Sequence, residues 1–211
     1  MPDDSSGCAI ILGGDRRTIK DEKRTLSGYN FCNFITGPYM TCRIVFLVGP
    51  MGVGKSSIGR ALASFLKRPF FDIDAEIEAR TGADIQWIFD VDGEEGFRDR
   101  EARIFADVIA EQDCAVIATG GGIVMRDDNR KLLINGGPVV YLTANKEQLI
   151  ERTRRDKKRP LLQVDDPASV IEKLLATRDP FYREVADVIF PSGRGQLSRV
   201  VKKLAEALDA L

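Results

Sequence analysis

From residue 40 to the C-terminus, short apolar runs alternate with longer segments whose apolar residues recur every three or four positions. The runs predict strands over 44–48, 70–73, 115–119, 139–143 and 188–191. The periodic segments predict helices over 55–66, 75–80, 84–89, 94–111, 127–134, 146–154, 167–177 and 196–208. Strands that alternate with helices imply a parallel sheet covered on both faces. One helix start is explicit, with Asp166 as N-cap and Pro167 at the first helical position. Residues 1–39 hold no sustained period; they mix short apolar pieces with Gly, Ser and charge. They are expected to be an extension, disordered or arising from an upstream start, before a single domain over 40–211.

Composition narrows the function classes. The 211 residues, 44% hydrophobic and 30% charged, suffice for one domain with its own core. A net charge of −1 argues against nucleic acid or a membrane surface as a general partner. No apolar run approaches the ~20 residues of a membrane span, and no secretory pattern opens the chain. Cys8, Cys32, Cys42 and Cys114 are scattered without a C-x-x-C pair, so neither zinc nor a disulfide framework is expected. A reduced, cytoplasmic setting follows. With no histidine in the chain, proton transfer falls to Asp, Glu, Lys or Tyr.

The first strand runs into Gly49-Pro50-Met51-Gly52-Val53-Gly54-Lys55-Ser56-Ser57, the G-x4-G-K-S spacing of a phosphate-binding loop. Glycines permit the tight turn that aims N–H groups of residues 52–56 inward, and the helix behind adds its positive end. Lys55 is placed for the β- and γ-phosphates and the Ser56 hydroxyl for Mg²⁺. The glycines do not fit G-x-G-x-x-G, which removes a dinucleotide reading. A switch GTPase is suggested by Asp90-Val91-Asp92-Gly93 and by Asn145-Lys146. However, Gln148 stands where a guanine-reading carboxylate is needed, and the first match follows a helical stretch.

Three further features concern the phosphoryl acceptor. Asp72 and Asp74 end the second strand two residues apart, which puts both carboxylates on one face if the strand continues through them. The carboxyl ends of parallel strands are where ligands bind in open α/β sheets. One carboxylate can hold a magnesium-bound water and the other the acceptor hydroxyl; the bland alternative is an N-cap at Asp74 and a solvated Asp72. Gly120-Gly121-Gly122 follows the third strand and allows close approach of a ligand to backbone donors. Six basic residues occupy the eight positions from Arg152 to Arg159, a solvated helix end, an RNA patch or a lid that closes over phosphates. Trp87, Phe89 and Phe97 are core residues by default.

Taken together, GPMGVGKSSIGR, FDIDAEIEARTGADIQWIFDVDGEEGFRDRE, ATGGGIV, RDKKRPLL and Arg178-x-Pro180-x-Tyr182 resemble the shikimate kinase family, over about residues 43–211. The resemblance implies a P-loop NTPase fold of the α/β class. Its five-stranded parallel sheet has the order 2-3-1-4-5, with a nucleoside-monophosphate-kinase-like lid over about 154–166. It implies transfer of the γ-phosphate of ATP to the 3-hydroxyl of shikimate by a monomer carrying one Mg²⁺. By position it assigns Gly52, Val53, Gly54, Lys55, Ser56 and Ser57 to the phosphates, Ser56 and (through water) Asp72 to Mg²⁺, and Asp74 to the acceptor hydroxyl. Arg98, Gly121 and Arg178 fall at the remaining shikimate contacts. Arg159 matches a lid arginine, and Arg152 and Gln196 fall near adenine-side positions. The alternatives are a gluconate-type or nucleoside-monophosphate kinase and a catalytically silent nucleotide-binding module.

Overall fold

The structure is a computed structural model that describes residues 43–153, 166–193 and 196–211, together with Ile11–Leu12. In chain order the elements are β1 (Ile11–Leu12), β2 (Val45–Val48), α1 (Lys55–Leu66), β3 (Phe70–Asp72), α2 (Ile73–Thr81) and α3 (Ile85–Glu111). There follow β4 (Val116–Ala118), a 3₁₀ turn (Ile123–Met125), α4 (Asp127–Gly136), β5 (Val139–Thr143), α5 (Lys146–Thr153), α6 (Pro167–Val185), β6 (Val188–Pro191) and α7 (Leu197–Asp209).

Five parallel strands lie in the order β3-β4-β2-β5-β6, which is 2-3-1-4-5 when the parallel strands alone are counted. The central strand β2 is buried along its whole length, as a strand covered on both faces must be. Successive side chains serve opposite layers. Phe46 and Val48 pack with Ile73, Phe105 and Leu133, and Val45 and Leu47 pack with Leu62, Leu204 and Leu208. Every parallel strand therefore delivers its carboxyl end to the same edge of the sheet, where the loops after β2, β4 and β6 and the first turn of α2 gather.

Several expectations are corrected here. One pairing is added to those expected: within residues 1–39, Ile11–Leu12 pairs antiparallel with the outer strand β6, Ile11 opposite Ile189 and Leu12 opposite Val188. An unpaired edge strand offers a free row of backbone donors and acceptors, which gives even two extended residues a place to pair. The rest of that extension lies outside the described residues. Cys114 is disulfide-bonded, its partner outside the described residues; such pairing depends on spatial approach, which scattered spacing does not display. The helix expected over 167–177 continues through Pro180 to Val185. Tyr182 and Val185 are buried on its inner face, and that burial overrides the backbone bond the proline removes.

The separate helices expected over 84–89 and 94–111 are both present: α3 is two helical stretches that meet at Gly93, whose φ of 71° and ψ of −175° are not helical. The expected N-cap at Asp166 is present, its carboxylate accepting from the Ser169 N–H at 3.1 Å. Phe97 lies in the core and Phe89 packs against it, their rings 4.6 Å apart and tilted by 33°, whereas Trp87 is 54% exposed, against its default placement.

Candidate active site

The loop between β2 and α1 turns at Gly52 (φ 75°) and Gly54 (φ 100°), backbone that L side chains rarely adopt. A side chain at 52 is excluded twice, since its Cβ would stand 2.8 Å from the Thr153 methyl at the end of α5. Gly54 caps α1 without any side-chain bond, which leaves the first N–H groups of the helix directed out of its positive end. Lys55 is buried, and its Nζ donates to the carbonyls of Gly49 at 2.8 Å and Pro50 at 2.9 Å, so the ammonium is held on the inner side of the loop.

This loop forms one wall of a cavity of about 410 Å³. Gly52, Val53, Gly54, Lys55, Ser56 and Ser57 all line it, joined by Asp72, Asp74, Thr119, Arg152 and Ser192. Arg152 reaches from α5 to the carbonyls of Gly52 at 3.4 Å and Val53 at 3.2 Å, and across to the Ser192 carbonyl at 3.4 Å. It thereby ties the phosphate loop to the end of β6. Gln196 is exposed at the N-cap of α7 and is not among the lining residues, although its neighbour Leu197 is. Arg159 and nearly all of the expected lid lie outside the described residues.

Asp72 and Asp74 share the cavity, but not for the reason of strand alternation. The strand stops at Asp72, which is the N-cap of α2, its Oδ1 accepting from the Asp74 N–H at 3.1 Å. Asp74 sits in the first helical turn, and a tight strand-to-helix corner brings the two carboxylates together.

Beyond Asp74 lies the glycine triplet after β4. None of the three takes a positive φ, so their use is close approach rather than unusual backbone. A Cβ on Gly120 would stand 2.2 Å from Glu101 Oε1 and 3.0 Å from Asp74 Oδ1, and one on Gly122 would stand 2.3 Å from the Arg98 guanidinium carbon. Gly121 accepts from Arg178 Nη1 at 3.1 Å and from the Tyr182 hydroxyl. Four elements thus deliver Asp74 (α2), Arg98 (α3), Arg178 (α6) and the triplet itself to one spot.

Arg98 is positioned by two carboxylates on its own helix, Glu101 at 2.7 Å and Glu94 at 3.2 Å. Glu101 is fully buried, and its second oxygen has no hydrogen-bond partner. Burial pushes the Glu101 carboxyl above the usual carboxylate range; Arg98 opposes this and the charge of Asp74 adds to it. Burial likewise lowers Arg178, with the nearby Arg98 charge in the same direction and Tyr182 opposing. A buried Arg178 and a half-buried Arg98, close enough for each charge to be felt by the other, favour an anion between them.

Glu101, Thr119 and Ser192 were not singled out from sequence, and Tyr182 entered there only as part of a motif, with no role of its own. Glu101 reads there as one more charge in Arg98-Asp99-Arg100-Glu101, and only its position three residues after Arg98 on a helix hinted at a pair. Among the described residues no group of three or more His, Cys, Asp and Glu side chains is arranged to hold a metal. A cation held by Ser56 and Asp72 would therefore take most of its ligands from phosphate and water, as Mg²⁺ does.

A family model for shikimate kinase matches residues 51–209. The shikimate kinase of Pseudomonas syringae pv. syringae (strain B728a) is 54% identical over 169 residues, covering 80% of this chain and 98% of that one. That of Francisella philomiragia subsp. philomiragia is 49% identical over 164 residues, covering 78% and 93%. The solved shikimate kinase from Acinetobacter baumannii in complex with shikimate is similar, with TM-score 0.76, 44% identity and coverage of 79% and 92%. A gluconokinase from Sinorhizobium meliloti 1021 shares the fold at TM-score 0.52 and 22% identity, over 80% and 92%.

Proposed function

The chain belongs to the shikimate kinase family and phosphorylates shikimate with ATP, and from that premise we infer how its residues divide the work. The observation that carries the reading is the convergence of Asp74, Arg98 and Arg178 on Gly120–Gly122, beside a phosphate-loop cavity that Asp74 also lines.

N–H groups from Gly52 to Ser57 and the end of α1 hold the β- and γ-phosphates, with Lys55 adding positive charge. Arg98 and Arg178 bind the shikimate carboxylate through planar donor pairs, and Gly121 lets the ring approach the backbone. Asp74 accepts a hydrogen bond from the 3-hydroxyl and fixes it toward the γ-phosphorus. The hydroxyl oxygen then bonds to phosphorus as the bond to the bridging oxygen breaks. The hydroxyl proton passes to Asp74, and ADP leaves with the bridging oxygen. Ser56 and, through water, Asp72 would hold one Mg²⁺, which when bound neutralises charge on the phosphates.

Arg152 and Ser192 close the nucleotide side. Gln196 and Arg159 are assigned to ATP on sequence grounds alone. Action as a monomer is carried over from the family resemblance. Among the described residues no helix is long and apolar enough to cross a membrane, and use of ATP points to the cytoplasm.

A coupled ADP-release assay with shikimate, gluconate and the nucleoside monophosphates as acceptors tests the reading. Turnover with shikimate alone is expected. Faster turnover of any other acceptor would reassign the pocket.

A further inference from the structure

Two donors from successive turns of α6 meet on one acceptor, the Gly121 carbonyl. Arg178 and Tyr182 are four residues apart and so share a helix face. Arg178 Nη1 donates at 3.1 Å and the Tyr182 hydroxyl donates alongside it. Pro180 lies between them and leaves the Ala176 carbonyl without its helical partner.

The Tyr182 ring is fixed independently of the glycine loop. It is fully buried and stacks on Tyr141 at 4.9 Å and 26°. Tyr141 in turn donates to Asp179 at 2.7 Å, and Arg183 holds the other Asp179 oxygen at 2.6 Å. Burial pushes the Tyr182 phenol well above its ordinary value, with Arg178 opposing, so the hydroxyl keeps its proton.

We propose that Tyr182 is a positioning residue for acceptor binding: by holding the Gly121 carbonyl beside Arg178, its hydroxyl frees that guanidinium to turn toward the acceptor carboxylate. The inference rests on the reading of Arg178 as a carboxylate ligand. A carbonyl accepts two hydrogen bonds. With Tyr182 in place, Arg178 can shift its donors to a carboxylate without leaving the half-buried Gly121 carbonyl unpaired. Without the hydroxyl, that carbonyl competes with the substrate for the guanidinium.

Tyr182→Phe keeps the ring and its stacking and removes only the hydroxyl. KM for shikimate is expected to rise roughly fivefold, the factor one net hydrogen bond supplies, while KM for ATP stays within about twofold. In an Arg178→Lys background the same change should cost little, because there is no guanidinium left to aim. An unchanged shikimate KM, parallel shifts in both KM values with a lowered Tm, or the same factor in the Arg178→Lys background would each overturn the proposal. Arg178→Lys alone leaving shikimate KM unaltered would instead overturn the carboxylate-ligand reading beneath it.

Discussion

Arg98 lies so close to Gly122 that a methyl group on that glycine would stand 2.3 Å from the guanidinium carbon. The arginine comes from α3 and the glycine from the loop after β4, so this contact governs how two separate elements meet at the proposed acceptor pocket. Gly122 has φ −104° and ψ 0°, which an alanine adopts without strain. Gly122→Ala therefore acts through displacement of Arg98. Shikimate KM should rise roughly tenfold to a hundredfold, as for a misplaced binding group, with ATP KM nearly unchanged. Steady-state kinetics in both substrates check this, and an unchanged shikimate KM would remove Arg98 from the carboxylate site.

Lys55→Met keeps most of the buried stem and removes the ammonium. Loss of a charge aimed at the transferring phosphoryl group should lower kcat by on the order of 10²–10³. Because Nζ also bridges the Gly49 and Pro50 carbonyls, Tm should fall by a few degrees rather than stay constant. Turnover and melting measured on one preparation separate the two effects.

Asp74→Asn retains a hydrogen-bonding group but no longer accepts a proton. If Asp74 serves as base, kcat should fall by roughly 10²–10⁴ with shikimate KM little altered. A variant that raises KM and spares kcat would make Asp74 a positioning group only.

Much of this site was legible before the structure, for identifiable reasons. The phosphate loop is contiguous, so Gly52, Gly54, Lys55 and Ser56 carry their meaning in spacing alone. Asp72 and Asp74 were found through alternation along a strand, yet a helix begins between them. The carboxylates still share the cavity because the corner is tight. Glu101 was missed because a helix in a charged stretch hides which face is buried, and burial depends on elements remote in sequence. Gly120–Gly122 was read as a site for ligand approach, whereas in the protein its glycines also admit Glu101, Asp74 and Arg98. In the fold, the pairing of Ile11–Leu12 with β6 escaped notice because two residues are too few to show a period.

A pH dependence of stability is expected from Glu111. Its carboxylate receives two bonds from Arg80, at 3.0 and 2.7 Å, which join the ends of α2 and α3 and hold its pKa below the ordinary 4.5. A depressed carboxyl contributes stability that is present above the unfolded pKa and lost as pH falls through the folded pKa. Urea midpoints of the original protein and Glu111→Gln should therefore differ above about pH 5 and converge at more acid pH. Exposure and salt keep the difference small. A gap that persisted unchanged into strong acid would show that the pair does not contribute through charge.

The carboxylate clamp formed by Arg98 and Arg178 is the central claim, and the most direct measurement compares kcat/KM for shikimate and its uncharged amide. Charged hydrogen bonds of this kind are worth roughly 1.5–3 kcal/mol, or about one to two powers of ten each. The amide should be poorer by at least about tenfold on the original protein. Arg98→Lys and Arg178→Lys, which weaken the acid, should make little further difference to the amide. Equal kcat/KM for acid and amide would contradict the clamp and with it the orientation assigned to shikimate.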